Sequence, residues 1–319
     1  MSTSGPYSTA ILLSRLYVAK AVLPVCGYQL VIDDDSTSQI EVLHAENAAV
    51  GDFLSIGPYV YVVADITADR PLYSLSCKPM ITVFDRDVPP SSAAAVNALL
   101  EIQNLVRNNY IACSDTFFAM PFLDTSVVGG TIKGVGAEAN EAGWVNVYKY
   151  IKQLRRWDLK LTWTMRRQKL TLNLGVYATA TPKIIDGSMY RITSCVKARN
   201  GVGKVTSVAE DGTQTHYYVT DSGVTTDVPE QLYYTGWDVL YKADATRVAE
   251  HVDKKRMQHS ITFLAPSGAY GHNEVVKVRT DDEVIQSRIT TIKIDSGSSM
   301  AEYTCGELPT KLTDIIKGE

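Results

Sequence analysis

The stretch RITTIKIDSGSSMAEYTCG, Arg288 to Gly306, decides how this chain is read. It carries Ile289, Ile292 and Asp295, then a short polar turn, a Tyr and a Cys. VVADITADRPLYSLSC, Val62 to Cys77, places Val63, Ile66 and Asp69 at the same spacing and also runs on to a Tyr and a Cys. Upstream, Leu54-Ser55-Ile56 corresponds to Val276-Lys277-Val278, with Gly51 and Gly271 preceding the two runs. Tyr73 and Cys77 correspond to Tyr303 and Cys305 across turns of different length. The hairpin between the matched strands is four residues longer in the second copy, where TDDEVIQ fills it. Order and spacing agree over about thirty residues, so one strand framework used twice is predicted. Hairpin tips are where such a framework tolerates insertion best.

Working outward, residues 1–88 read as a first small antiparallel β-barrel. GYQLVI, QIEVLHA, GDFLSIG, YVYVVADITAD and LYSLSC are rich in Val, Ile and Tyr and bounded by Gly, Pro and Asp. Residues 89–180 read as an α/β insertion with two helices and a hairpin. Ser91 or Ser92 is the expected cap of a helix with the stripe Val96, Leu99, Leu100 and Val106, closing at Asn108-Asn109. A second helix places Trp144, Val147, Ile151 and Leu154 on one face. In the hairpin, Leu159, Leu161, Trp163 and Met165 alternate up to RRQK, and Leu170, Leu172, Leu174 and Val176 alternate back. Residues 181–242 read as a strand-rich connecting domain around DGTQTHYYVTDSG. Residues 243–319 read as a helix from Asp244, with Ala245, Val248 and Val252, followed by the second barrel. The fold class expected is α+β, predominantly β, with two related small antiparallel barrels flanking a helix-containing α/β insertion.

The chain has 319 residues, 45% of them hydrophobic, enough for real cores and too many for general disorder. Charged residues make up 21% and the net charge is −4, which excludes a polybasic nucleic-acid binder. Arg15 and Lys20 interrupt the apolar run near the start, and no 18-residue apolar span occurs, so neither a signal peptide nor stable membrane insertion is expected. Cys26, Cys77, Cys113, Cys195 and Cys305 lie far apart, an odd set that fits neither a disulfide framework nor a zinc site. Small core residues in a reducing cytoplasm are the expectation.

Catalytic patterns are weak. Gly134, Gly136 and Ala139 imitate a dinucleotide-binding loop, without the buried strand that must precede it. Gly201 to Lys204, GVGK, lacks the full phosphate-loop spacing and the hydroxyl after Lys204. His44, His216, His251, His259 and His272 show no metal-ligand spacing, with His251 and His259 expected in solvent-facing or capping roles. The acidic groups Asp33 to Asp35 and Asp281, Asp282 and Glu283 are expected to be solvated turn tips. Arg155, Arg156, Lys160, Arg166, Arg167 and Lys169, with Trp157 and Trp163 between them, form the one basic group. Trp163 shares the leucine face, which makes it core rather than a stacking platform, so no sequence-specific nucleic-acid binding is expected. No catalytic, cofactor-binding or metal-binding residue is assigned, and no enzyme is expected.

The order of parts resembles the central hub proteins of phage tails and related contractile machines, including the N-terminal hub module of siphophage tail-associated proteins. The resemblance is carried by GDFLSIGPYVYVVADITADRPLYSLSCKPMITVFDRDVP, by TSCVKARNGVGKVTSVAEDGTQTHYYVTDSG and by HSITFLAPSGAYGHNEVVKVRTDDEVIQSRITTIKIDSG. It implies a homotrimer whose two barrels per chain make a pseudo-sixfold ring against the tail tube, a structural component of the virion made in the bacterial host cytoplasm. It implies a distal tail or tail tube protein on one side and a fibre, spike or receptor-binding protein on the other, with the tape-measure protein ending nearby and DNA passing through. Because the sequence stops at Glu319, a minimal hub is expected. The helical middle segment has no residue-by-residue match. Alternatives are a ring-forming distal tail or baseplate connector, or a nucleotide-dependent or hydrolytic enzyme using loop 134–139.

Overall fold

Period-two alternation of buried and exposed side chains organises the first ninety or so residues of the computed structural model, which describes residues 7–90, 97–115, 119–166, 169–177, 182–186, 190–198, 202–220, 223–230, 236–255, 258–280 and 284–306. Strands β1 (Thr9–Leu13), β2 (Ala19–Ile32), β3 (Ser38–Leu43), β4 (Phe53–Ile56), β5 (Tyr59–Asp69) and β6 (Leu72–Pro79) pair in the order β1-β4-β5-β6-β3-β2. β1 also pairs with β2, which closes a six-stranded antiparallel barrel. Leu12, Leu30, Ile40, Val42, Leu54, Leu75 and Cys77 have no exposed surface and fill it. Closure leaves no sheet edge around the β1 to β4 seam, the end at which the next segment packs.

That segment contains β7 (Asp87–Val88), α1 (Ala98–Val106), β8 (Leu123–Gly129), β9 (Val145–Asn146), α2 (Val147–Leu154), β10 (Leu159–Arg166) and β11 (Lys169–Val176). The expected hairpin forms with Leu159 opposite Val176 and Arg166 opposite Lys169, and β8 adds to it as a parallel strand. Asn97 caps α1 by accepting from the Leu99 N–H, and Asn146 caps α2 by accepting from the Lys149 N–H. Two helix readings need correction. The buried face of α1 is Leu99, Ile102, Leu105 and Val106, with Leu100 exposed, and a π-helical turn carries the chain on to Ile111; Ser91, Ser92 and Val96 lie outside the described residues. Trp144 stands before α2 and is exposed, while Tyr148 and Tyr150 join Val147, Ile151 and Leu154 in the core. Tyr17 stacks on Phe122 at 4.9 Å, and Phe53 meets the same ring edge-on at 5.3 Å, so barrel and insertion share one core.

The second strand set follows. It consists of β12 (Lys183–Asp186), β13 (Arg191–Ala198), β18 (Gln258–Pro266), β19 (Val275–Arg279), β20 (Val284–Asp295) and β21 (Met300–Cys305), the numbers between being β14 (Val202–Val208), β15 (Gln214–Thr220), β16 (Gly223–Thr225) and β17 (Gly236–Tyr241). Its pairing order is β12-β19-β20-β21-β18-β13. Substituting each strand by its counterpart reproduces β1-β4-β5-β6-β3-β2. The copies differ at the first pair, where β12 runs parallel to β19 and β1 runs antiparallel to β4. The ladders fix the register. Phe53 faces Val62 and Val275 faces Arg288, so Val63 and Ile289 are equivalent, as the spacing predicts, and the second hairpin is four residues longer.

Two details of the predicted alignment are corrected by this register. Gly51 donates to the Val63 carbonyl as Asn273 donates to the Ile289 carbonyl, so the counterpart of Gly51 is Asn273 and not Gly271. Both have left-handed backbones, with φ of 87° and 67°; Asn tolerates that region better than other side-chain-bearing residues. His44 donates to the Pro71 carbonyl as Ser267 donates to the Ser299 carbonyl, which aligns Cys77 with Cys305 but Tyr73 with Ala301.

Contacts divide the chain into two units, 1–191 with 263–304, and 192–262 with 305–319. The second unit holds the sheet β16-β15-β14-β17, in which β17 runs parallel to β14, and helix α3 (Ala245–Lys255). Val202, Val205, Val219, Ala243, Val248 and Val252 form its core. Asp244 caps α3 through the Arg247 N–H, and Ala245 is exposed rather than part of the apolar stripe. In the first copy the corresponding connection, between β2 and β3, is only the turn at residues 33–37.

Candidate functional site at the junction of the two strand sets

The two sets meet edge to edge. Gln29, Leu30, Val31 and Ile32 of β2 pair antiparallel with Asp295, Ile294, Lys293 and Ile292 of β20. Leu30 and Ile294 are fully buried, and the Gln29 amide donates to the Asp295 carboxylate at 3.2 Å. β20 corresponds to β5, so the contact joins a β2-type edge to a β5-type edge and is head-to-tail.

The turn after β2 locks this junction to the insertion, which overturns the expectation of a solvated tip for Asp34, while Asp35 is exposed as expected. Arg155 donates to both Asp34 carboxylate oxygens, at 2.8 and 3.1 Å, and the two side chains are 13% and 12% exposed. Burial pushes the Asp34 pKa up, but the Arg155 charge and hydrogen bonds outweigh it and hold the carboxyl below its usual range. Lys152 reaches Asp35 at 2.6 Å, and the Tyr148 hydroxyl donates to the Asp35 carboxylate and lies 2.8 Å from the Asp34 carbonyl. Asp33 ends the turn by accepting from the N–H groups of Asp35 and Ser36. The second set joins in where Asn273 donates to the carbonyls of Arg155 and Leu159, at 3.0 and 2.9 Å. His272, beside it, is held neutral down to a pKa of about 4, first by burial and then by the Arg155 charge. A cavity of about 420 Å³ lies here, with Asp34, Tyr61, Arg155, Trp163, Tyr270 and His272 in its wall.

A second pair of carboxylates is duplicated. Asp52 accepts from the Ala49 N–H at 2.9 Å and meets Lys20 at 2.7 Å; Glu274 accepts from the Gly271 N–H at 2.8 Å and meets Lys183 at 3.0 Å. Each acid ties off the turn that leads into the β4-type strand, and both supply the carbonyl that pairs with Val63 or Ile289. The sequence pattern misses this equivalence because Asp and Glu differ by one methylene.

The remaining sequence candidates do not converge. Gly134, Gly136 and Ala139 lie in an irregular loop, with open space where a Gly134 or Gly136 Cβ would stand. Val202 to Lys204 begin β14 instead of a phosphate loop, and Gly201 lies outside the described residues. His44 is exposed, and His216 contacts Thr206 at 3.0 Å. His251 sits within α3, paired with Asp238 at 2.7 Å rather than facing solvent. The His259 side chain lies outside the described residues, as do Asp281, Asp282 and Glu283. Of the basic group, Arg155 is an ion-pair partner in the core, and Lys160 lies 5.3 Å from the Tyr177 ring. Arg166 and Lys169 stand at the hairpin tip; the Arg156 side chain and Arg167 are not described. Trp163 is part-buried against Phe84. Among the described residues no cluster of His, Cys, Asp and Glu could hold a metal ion, and no helix is long and apolar enough to cross a membrane.

The fold is that of phage tail and baseplate proteins. No family model matches the sequence, and neither does any curated protein. Among solved structures, the chain is similar to a tail protein from Neisseria meningitidis MC58, with a TM-score of 0.55 at 11% identity over 93% of this chain and 96% of that one. It is similar to a chain of the phage P2 baseplate in its activated conformation, with a TM-score of 0.58 at 12% identity, covering 94% and 100%. The 43 kDa tail protein of prophage MuSo2 from Shewanella oneidensis gives a TM-score of 0.53 at 13% identity, covering 93% and 98%.

Proposed function

We propose that this chain is a structural hub of a phage tail, built to present two like docking units per copy. The observation that carries the reading is the repeated strand order, joined within one chain by a head-to-tail strand pair. Three copies in a ring would offer six similar strand sets, which lets a threefold object face a sixfold tube. In this reading the homotrimer sits at the distal tip of the virion tail. It joins a distal tail or tail tube protein to a fibre, spike or receptor-binding protein, lies near the end of the tape-measure protein, and lets DNA pass along its axis. It works without chemistry of its own, its polar clusters serving to fix the insertion against the barrel. The likeness in fold to tail and baseplate proteins supports this role. Light scattering tests it: the hub requires a particle of three times the 35.0 kDa chain mass. A hexamer would favour the ring-forming connector, and a monomer at micromolar concentration would count against both.

A further inference from the structure

The head-to-tail junction inside the chain uses one β2-type edge and one β5-type edge, and leaves one of each unused. β4 pairs with β5 only over Tyr59–Val62, and Val63 bonds to Gly51 and Asp52. Beyond that point, Asp65–Asp69 have β6 on one side and, among the described residues, no strand on the other. The matching part of β20, Ile292–Asp295, has β2 there. Burial follows the neighbour. Ile292 and Ile294 are 5% and 0% exposed, whereas their counterparts are part-exposed Ile66 and exposed Ala68. At the other end of the order, β13, the counterpart of β2, pairs with β18 alone among the described residues. Thr193, Ser194 and Cys195 are all exposed, unlike the alternating β2. A strand edge left open in this way is a template for another strand.

We infer that the β5 edge of each copy, Asp65–Asp69, pairs with strand β13 of a second copy of this chain, repeating between chains the junction that β2 and β20 make within one. Because the contact is heterologous, each chain offers one edge and accepts one, and the series closes when the rotation per chain is a third of a turn. The charges agree with the pairing. The β5 edge carries Asp65 and Asp69, and Asp69 is the counterpart of Asp295, which takes a hydrogen bond from Gln29 in the internal junction. The β13 sequence carries Arg191 and Lys197. Strand addition of this kind draws affinity from main-chain hydrogen bonds and selectivity from the flanking side chains.

This inference rests on the trimeric hub reading, and charge reversal separates the two. The variant Asp65→Lys/Asp69→Lys reverses the β5 edge, and Arg191→Glu/Lys197→Glu reverses β13; the fourfold variant reverses both. Light scattering of the full chain is expected to give three-chain particles for wild type and the fourfold variant, and single chains for each double variant. Near-ultraviolet circular dichroism of the double variants should match wild type, showing folded chains. Double variants that remain trimeric, or a fourfold variant that stays monomeric, would overturn the strand pairing while leaving a trimeric hub standing. A monomeric wild type would overturn both.

Discussion

Replacing Arg155 by Met keeps most of the side-chain volume and removes the charge that faces Asp34. Asp34 would then keep a carboxylate that is 12% exposed with neither of its two guanidinium hydrogen bonds. Removing one partner of a buried pair costs about 3–5 kcal/mol, and the residual exposure of both side chains places this case near the lower end, at about 3 kcal/mol. In a unit of this size that corresponds to a fall in Tm of about 6–12 °C. The assay is urea unfolding followed by tryptophan fluorescence. The effect has a pH signature. The Asp34 pKa is depressed in the fold, so its stabilisation is fully present above the unfolded value of about 3.9 and is lost as pH falls through the folded value. In Arg155→Met burial acts on Asp34 without the Arg155 charge to oppose it and raises its pKa. The gap between wild type and variant should therefore be largest at neutral pH, begin to narrow above the unfolded value, and go on narrowing toward pH 3 as the wild-type carboxylate protonates. Adding Asp34→Asn to Arg155→Met should recover part of the loss, since no unpaired charge remains. A loss below about 1 kcal/mol at pH 7, the range of an exposed pair, or a gap unchanged at pH 3 would refute the reasoning.

Three further outcomes test other parts of the structure. Burial pushes the Cys77 and Cys305 thiols up to about 12, so a thiol reagent at pH 8 should label exposed Cys26 at once and these two only after unfolding, as peptide mapping would show. Asp52→Ala should cost about 2 kcal/mol and Glu274→Ala about 1 kcal/mol, both by chemical denaturation, because the first carboxylate is deeper and each leaves a turn N–H without its acceptor. Gly136→Ala should leave the Tm unchanged, since its Cβ meets nothing within 4 Å, and ATP or NAD should not shift the Tm of either protein. A nucleotide-dependent shift abolished by the substitution would revive the enzyme alternative.

How much of this was legible in the sequence depends on what each feature leaves there. The hairpin over Leu159 to Val176 and the Val63–Ile289 register were readable because alternation fixes both face and pairing. The turn equivalences were not. Gly51 and Asn273 share a left-handed backbone but no letter, and Gly271 offered a false match two residues away. Asp34 looked like part of a solvated tip because nothing in the local sequence points to Arg155, 121 residues on from it. Helix starts were missed by a few residues because Asn97 and Asn146 compete with several other plausible caps. The parallel strand β8 was missed too, since its partner β11 lies more than forty residues downstream. Strands β14 to β17 and α3 fall between β13 and β18, where the first copy has a short turn, and no local pattern in the sequence marks an insertion of that length.

That placement bears on why the proposed ring is threefold rather than sixfold. The turn after β2 is gripped by Arg155, Lys152 and Tyr148 of the insertion, so the junction within a chain carries a polar lock. The corresponding turn after β13 is replaced by the whole β14 to α3 segment, so among the described residues the junction inferred between chains has no counterpart of Asp34 to be locked in this way. Alternate junctions around the ring would thus share the strand pairing and differ in what flanks it. The two kinds of junction should fail separately. Arg155→Met weakens the internal lock and should lower the Tm while the particle stays trimeric; Asp65→Lys/Asp69→Lys should dissolve the particle while the unfolding free energy of the separated chain stays near that of a wild-type chain diluted to monomer. If Arg155→Met instead releases folded monomers, the internal lock and the contact between chains are one structure, and the distinction drawn between the two junctions is wrong.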